Sequence, residues 1–270
     1  MGEFDEDTRV ERVGEAVWRG TATSRWNIGD TPNGGYVMAI GMSALAEASS
    51  QPDPLNVTAH YIDRTAPGDV EIAVEVLRTS RNHWAGQARV GQDGALRVLL
   101  TASYTDLSAQ QGSTAVSGRP RGIPPPDRCE AVPSEGPFIP ECSRRYQFRL
   151  APEVAGVARG EPSGVAEVGG WVRFADGREP DLRSLAAIVD AFPPPIQNLG
   201  LYGRIPTLTF SVQFRAAPSP GWLHAWFVTR FLVNGYLEED GEIWDSSEKL
   251  VALSRQMARL QPPGAHGRQA

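Results

Sequence analysis

The chain repeats one pattern of elements. In its first half, "GGYVMAIGMSALAEASS" sets Tyr36, Ile40, Ala44, Leu45 and Ala48 at helical spacing. The segment "NVTAHYIDR" then reads as a strand, followed by the turn "TAPGD". In "VEIAVEVLRTS", Val70, Ile72, Val74 and Val76 alternate strictly, and "HWAGQARVGQDGALRVLLTASY" reads as two strands about "QDG". In the second half "DLRSLAAIVDAF" is the helix, with Leu182, Leu185, Ala186 and Val189 as one stripe. "TLTFSVQFR" is the strand after it, "AAPSPG" the turn, and "WLHAWFVTRFLVNGYLEEDGEIWD" and "EKLVALSRQMARL" supply the remaining strands. Nine positions separate Thr58 from Pro67, and nine separate Thr209 from Pro218.

Further strand candidates precede each helix: "RVERVGEAVWRG" before the first, "RYQFRL" and "GVAEVGGWVRF" before the second. Each half then reads as a curved antiparallel sheet wrapped around one helix. A helix so covered by sheet on most sides is expected to carry apolar and small residues nearly all round. The expected fold class is α+β, two such units packed sheet to sheet. Ser, Gly and Pro crowd the segment 108–141, which reads as a linker between a repeat at 1–107 and one at 142–262. The tail after Gln261 reads as frayed.

The first helix opens oddly, on "TPNGGYVMAI". Glycine inside a helix costs about 1 kcal/mol against alanine. With Asn33 as cap, Gly34 and Gly35 fill the first turn, where backbone N–H groups lack intrahelical partners and carry the positive end of the helix dipole. Without a Cβ there, a ligand can approach closely. Tight packing of the helix is the competing reason for the same two glycines.

The segments "PNGGYVMA", "HYIDRTAPGDVEIAVEVLR", "RIPTLTFSVQFR" and "GEIWDSSEKLVALSRQ" together resemble the acyl-CoA thioesterase II family, the double hot-dog acyl-CoA hydrolases. The resemblance implies a tandem hot-dog fold and hydrolysis of acyl thioesters. It also implies three catalytic positions in the second half: Asp190 on the helix, Thr207 opening the next strand, and Gln256 on the last strand. Thr209 departs from a common family pattern, so either Thr207 or Thr209 supplies the hydroxyl, the two pointing the same way on a regular strand.

The chemistry asked of these residues is direct attack by water. A carboxylate flanked by Ile188, Val189, Ala191 and Phe192 gains basicity from apolar burial. The threonine hydroxyl and glutamine amide hold the water in line. Gly34, Gly35 and Asn33 are the expected oxyanion and substrate-binding groups, which requires one half's helix end to meet the other half's aspartate. Arg78 and Arg81 flank a turn and are candidates for the CoA phosphates.

Other chemistries find little purchase. There is no G-x-S-x-G elbow, H-E-x-x-H, Walker loop or G-x-G-x-x-G. His60, His83, His224 and His266 are scattered, so no metal and no cofactor is expected. The net charge of −6, without basic runs, argues against nucleic acid. No apolar run is long enough for a membrane span, and the polar, acidic start lacks the zones of an export signal. A cytoplasmic enzyme of fatty acid metabolism is expected, acting on acyl-CoA, with further pairing of protomers on the resemblance alone. Cys129 and Cys142 are read as free thiols rather than a disulfide. Two alternatives stand beside hydrolysis: a hot-dog enoyl-thioester hydratase or dehydratase, and a non-catalytic acyl-thioester-binding protein. Acyl chain length and the choice between CoA and acyl carrier protein are not legible.

Overall fold

Alternation and helical spacing become one continuous antiparallel sheet with two helices inside its curve. The computed structural model describes residues 2–136 and 139–261. The expectation of a frayed tail, the last residue of the 142–262 repeat, and His266 lie outside them. In the first half, β1 (Val17–Ala22) leads to α1 (Gly34–Ala48), then β2 (Asp53–Tyr61), β3 (Gly68–Thr79), β4 (Trp84–Gln92) and β5 (Ala95–Thr105). In the second, β6 (Tyr146–Leu150) and β7 (Glu167–Phe174) lead to α2 (Leu182–Ile188), then β8 (Thr207–Phe214), β9 (Leu223–Val228), β10 (Tyr236–Trp244) and β11 (Leu250–Arg259).

Counted outward from the centre, the first half runs β2, β5, β4, β3, β1 and the second β8, β11, β10, β9, β7. The orders are equivalent. The halves meet where β2 pairs with β8, Thr209 opposite His60 and Val212 opposite Val57. The two curved sheets lie side by side rather than face to face: as the family resemblance implies, their central edges are hydrogen-bonded into a single sheet of 14 strands among the described residues. Joining the edges satisfies backbone groups that two separate sheets would leave open.

The register is set locally. Asp93 and Gly94 both have positive φ, 52° and 75°, and Asn234 and Gly235 have 53° and 82°. Such pairs form the tight turns whose twist matches hairpin strands. Both central strands carry a bulge at the same step, between Pro54 and Asn56 and between Thr207 and Thr209.

Helix α1 is buried on every side from Gly35 to Leu45, as its apolar circumference demands. It lies against β1 to β5 and against α2. The second helix is shorter than the pattern "DLRSLAAIVDAF". It stops at Ile188, with Val189 as C-cap, because Pro193, Pro194 and Pro195 follow and proline and the residue before it resist helix. The helices run antiparallel: Gly35 faces Ala186 and Ala187 near the end of α2, while Arg183 near its start donates to Ser43 Oγ at 3.1 Å.

The linker has no regular element over 109–125, but 126–131 holds a short 3-10 turn and a two-residue strand paired to β6. It is pinned to the sheet: Trp171 Nε1 donates to Pro124 O at 2.8 Å, and Arg121 stacks on Trp226, 4.4 Å from the ring centre. Cys129 and Cys142 are both buried and unbridged. No helix among the described residues is long and apolar enough to cross a membrane.

Candidate active site

The first turn of α1 meets the residue just past the end of α2. Asn33 caps α1, its Oδ1 accepting from the Tyr36 N–H at 2.9 Å. Its Nδ2 donates to Asp190, at 2.9 Å to Oδ2 and 2.8 Å to the backbone oxygen. The Gly35 N–H donates to the same Oδ2 at 2.8 Å. Asp190 lies one residue beyond the cap of α2 rather than on the helix, which turns its carboxylate toward the other half. Among the described residues, Oδ1 accepts no hydrogen bond.

Glycine is required here by space. A Cβ on Gly35 would lie 2.3 Å from Ala186 O and 2.8 Å from Asp190 Cβ; one on Gly34 would lie 2.9 Å from the Tyr61 hydroxyl and 3.2 Å from Asp190 Oδ2. Close helix packing and access to the helix start are thus served by the same two residues. The Gly35 N–H and the Asn33 amide are already bonded to Asp190, so they stand as holders of the carboxylate and not as vacant oxyanion donors.

Burial pushes the Asp190 carboxyl up to about 6, against the lowering pull of the Gly35 N–H, the Asn33 amide and the Gly34 N–H. The surroundings are protonated groups. Burial, then the Asp190 charge, raise the Tyr61 hydroxyl well above its ordinary range and the Cys142 thiol to about 12. The Tyr61 hydroxyl is buried with no hydrogen-bond partner among the described residues.

Thr207 and Gln256 form a second pair. The Thr207 hydroxyl donates to Gln256 Oε1 at 2.8 Å, and Gln256 is buried. The expectation that Thr207 and Thr209 point the same way is corrected by the bulge at Leu208. Thr207 sits opposite the buried Ala258, whereas Thr209 sits opposite the exposed Met257. Facing residues of an antiparallel pair share a side of the sheet, so Thr207 is on the inner face and Thr209 on the outer.

Glu239, absent from the residues expected above, stands beside the second pair and within the field of the Asp190 charge. It is buried on β10 directly opposite Gln256. Burial raises its carboxyl to about 8, the charge of Asp190 adds to this, and the Gln256 amide beside it opposes. In "YLEEDGEIW" the strand turns Leu237, Glu239, Gly241 and Ile243 inward, so that one of the four buried positions is an acid.

The repeat supplies an internal comparison. Counting from the helix caps Asn33 and Asp181, Met42 occupies the position of Asp190. Counting from the shared bulge, Pro54 stands for Thr207, Ala102 for Gln256 and Gly86 for Glu239. Each polar group of the second-half set has an apolar or glycine counterpart. Met42 and Pro54 line a cavity of about 430 Å³ at the opposite end of the helix pair, together with Tyr104 and Leu182.

Arg78 and Arg81 are exposed and do not join this cluster. Gln51, just past the C-terminal end of α1, donates to Arg81 O at 3.0 Å. That places Arg81 at the end of the 15-residue helix remote from Gly34, roughly 20 Å away at 1.5 Å per residue. His224 is buried against Trp171, and burial lowers its imidazole to about 4.

Comparison with known proteins agrees with this architecture. The acyl-CoA thioesterase N-terminal domain matches residues 22–105, and the acyl-CoA thioesterase C-terminal domain matches residues 126–260. The thioesterase-like protein TwmA of Talaromyces wortmannii is 25% identical over 217 residues, 70% of this chain; the match spans 62% of TwmA's own length. A Thermobifida fusca crystal structure named as a thioesterase II is 27% identical, covering 96% of this chain and 99% of its own, with a TM-score of 0.89. A hot-dog protein of unknown function from Alicyclobacillus acidocaldarius shares the fold at 22% identity, covering 97% and 99%, with a TM-score of 0.87. The sheet curving around its helices is thus a hot-dog architecture, and with both family domains matched in order, the chain belongs to the acyl-CoA thioesterase family.

Proposed function

We propose that this protein hydrolyses acyl-CoA or related acyl thioesters to the free acid and thiol, by direct attack of a water activated by Asp190. The two halves act as tandem hot-dog units, the double hot-dog arrangement, sharing one hydrolytic site. The observation that carries the reading is the Asp190 carboxylate, held through Oδ2 by Asn33 and Gly35 from the other half, its Oδ1 left without a partner among the described residues.

A base raised to about 6 is ionised at neutral pH and still takes a proton readily, which suits general-base work. Water on Oδ1 gives its proton to Asp190 as its oxygen bonds to the thioester carbonyl carbon. The tetrahedral oxyanion then collapses, the carbon–sulfur bond breaks, and the thiolate leaves to take up a proton. The Thr207 hydroxyl, its proton committed to Gln256, offers the water an acceptor; the Gln256 amide fixes that hydroxyl. Asn33, Gly34 and Gly35 serve to aim the base. The Tyr61 hydroxyl, unpartnered and beside Gly34, is the donor we assign to the carbonyl oxygen; one such donor is typically worth about 10²- to 10³-fold in rate. The remote Arg78 and Arg81 are assigned no part in the chemical step.

The hydratase reading needs a histidine five residues after the aspartate, and Pro195 stands there. The test is incubation with acyl-CoAs of several chain lengths while free thiol is followed. Thiol release that disappears in Asp190→Ala supports hydrolysis. Hydration of an enoyl-CoA without thiol release, or binding without turnover, contradicts it.

A further inference from the structure

Glu239 has the features of a group kept for a purpose other than folding. It is 7% exposed, on the inward side of β10 between Leu237 and Gly241. A buried carboxyl costs stability unless something is gained by it. The fold itself makes no demand for one, since Gly86 occupies the equivalent register in the first half. Its neighbour across the ladder is Gln256. With Oε1 of Gln256 accepting from Thr207, the amide nitrogen is the end left for Glu239.

We propose that Glu239 is the positioning residue of this site: its carboxyl holds the amide nitrogen of Gln256, keeping Oε1 turned to Thr207. The proposal rests on the hydrolytic reading above. An amide can flip; a carboxyl on one side and a hydroxyl on the other define which way it stands.

The charged groups acting on Glu239 from its surroundings are Asp190, from the turn after α2, and Asp240 on its own strand. Asp240 is held on the outer face by Arg230 and Arg255. β11 presents the neutral Gln256 amide. Tyr61, Cys142 and Tyr146 face Asp190 with their protons retained well above neutral pH. A second negative charge would oppose both the ionised Asp190 and the oxyanion, so the working form carries a neutral Glu239. As Glu239 ionises, near 8, turnover falls.

The experiment measures kcat and KM for Glu239→Gln, Glu239→Ala and Asp190→Asn with pH carried through 6 and 8. Glu239→Ala lowers kcat about tenfold and leaves KM within about twofold, since it acts on the reacting water and not on substrate binding. Glu239→Gln keeps an acceptor for the amide nitrogen, so it recovers part of that loss, and it lacks the alkaline fall shown by the native enzyme. An unaltered alkaline limb in Glu239→Gln, or native kcat in Glu239→Ala, overturns the proposal. Should Glu239→Ala not fold, the profile of the isosteric Glu239→Gln decides. An Asp190→Asn enzyme with native kcat sinks the hydrolytic reading itself; an inactive Asp190→Asn beside native-like Glu239 variants sinks only the positioning role.

Discussion

Gly35 donates its backbone hydrogen to Asp190 Oδ2 at 2.8 Å although the two stand 155 residues apart. The contact joins the halves of the repeat at the point where the chemistry is proposed, and it makes the two glycines separable. Gly35→Ala puts a methyl against Ala186 O, backbone that cannot yield. It is expected to destabilise the protein by about 1–3 kcal/mol, as overpacking does, and to abolish most turnover. Gly34→Ala meets the Tyr61 ring end and the carboxylate instead, so its loss of kcat should exceed its loss of stability. Thermal melts beside thiol-release kinetics check the contrast.

The bulge at Leu208 separates two threonines that sequence alone could not. Thr207→Val removes the hydroxyl bonded to Gln256, and kcat should fall about 10- to 100-fold with a small change in KM. Thr209→Val alters the outer face and should leave kcat within about twofold. The reverse ranking of the two variants would mean that the strand is set differently.

Stability should carry a pH signature opposite to that of paired carboxylates. Asp190 moves from an ordinary 3.8 to about 6 and Glu239 from 4.5 to about 8. Both are raised, so the folded state binds protons more readily than the unfolded one. Their contribution is full below the ordinary values and is lost as pH rises through 6 and then 8. Glu239→Gln cannot ionise, so its melting temperature should gain on that of the native protein as pH rises from 4.5 toward 8. A gap that shrinks over this interval contradicts the assignment.

Neither thiol should react in the folded protein. Burial raises the Cys142 thiol to about 12 and shifts the Cys129 thiol upward, and both are unbridged. An aromatic disulfide reagent should find almost no fast-reacting thiol natively, and both after denaturation without reductant.

Much of this was legible in one dimension. The strict alternation from Val70 to Val76 and the all-round apolar surface of "GYVMAIGMSAL" follow directly from pleat and burial. The Asn33 cap and its two glycines announced a helix start open to a partner. Two things were hidden because they depend on register and contact between distant segments. The bulge that parts Thr207 from Thr209 is a property of two strands together. Glu239 sits among the neighbouring acids Glu238, Asp240 and Glu242, and only its inward place on the strand distinguishes it from these three less buried carboxylates. The oxyanion reading of Gly35 also missed that Asp190 itself takes up the hydrogen, because sequence gives no distance between segments 155 residues apart.

The most direct measurement of the central claim is the pH dependence of thiol release from an acyl-CoA by the native enzyme and by Asp190→Asn. The native rate should rise as pH passes through about 6, where the Asp190 carboxyl ionises, and Asp190→Asn should lose about 10²- to 10⁴-fold at every pH together with that rise. An Asp190→Asn enzyme that keeps both the native rate and its acid limb would contradict the account.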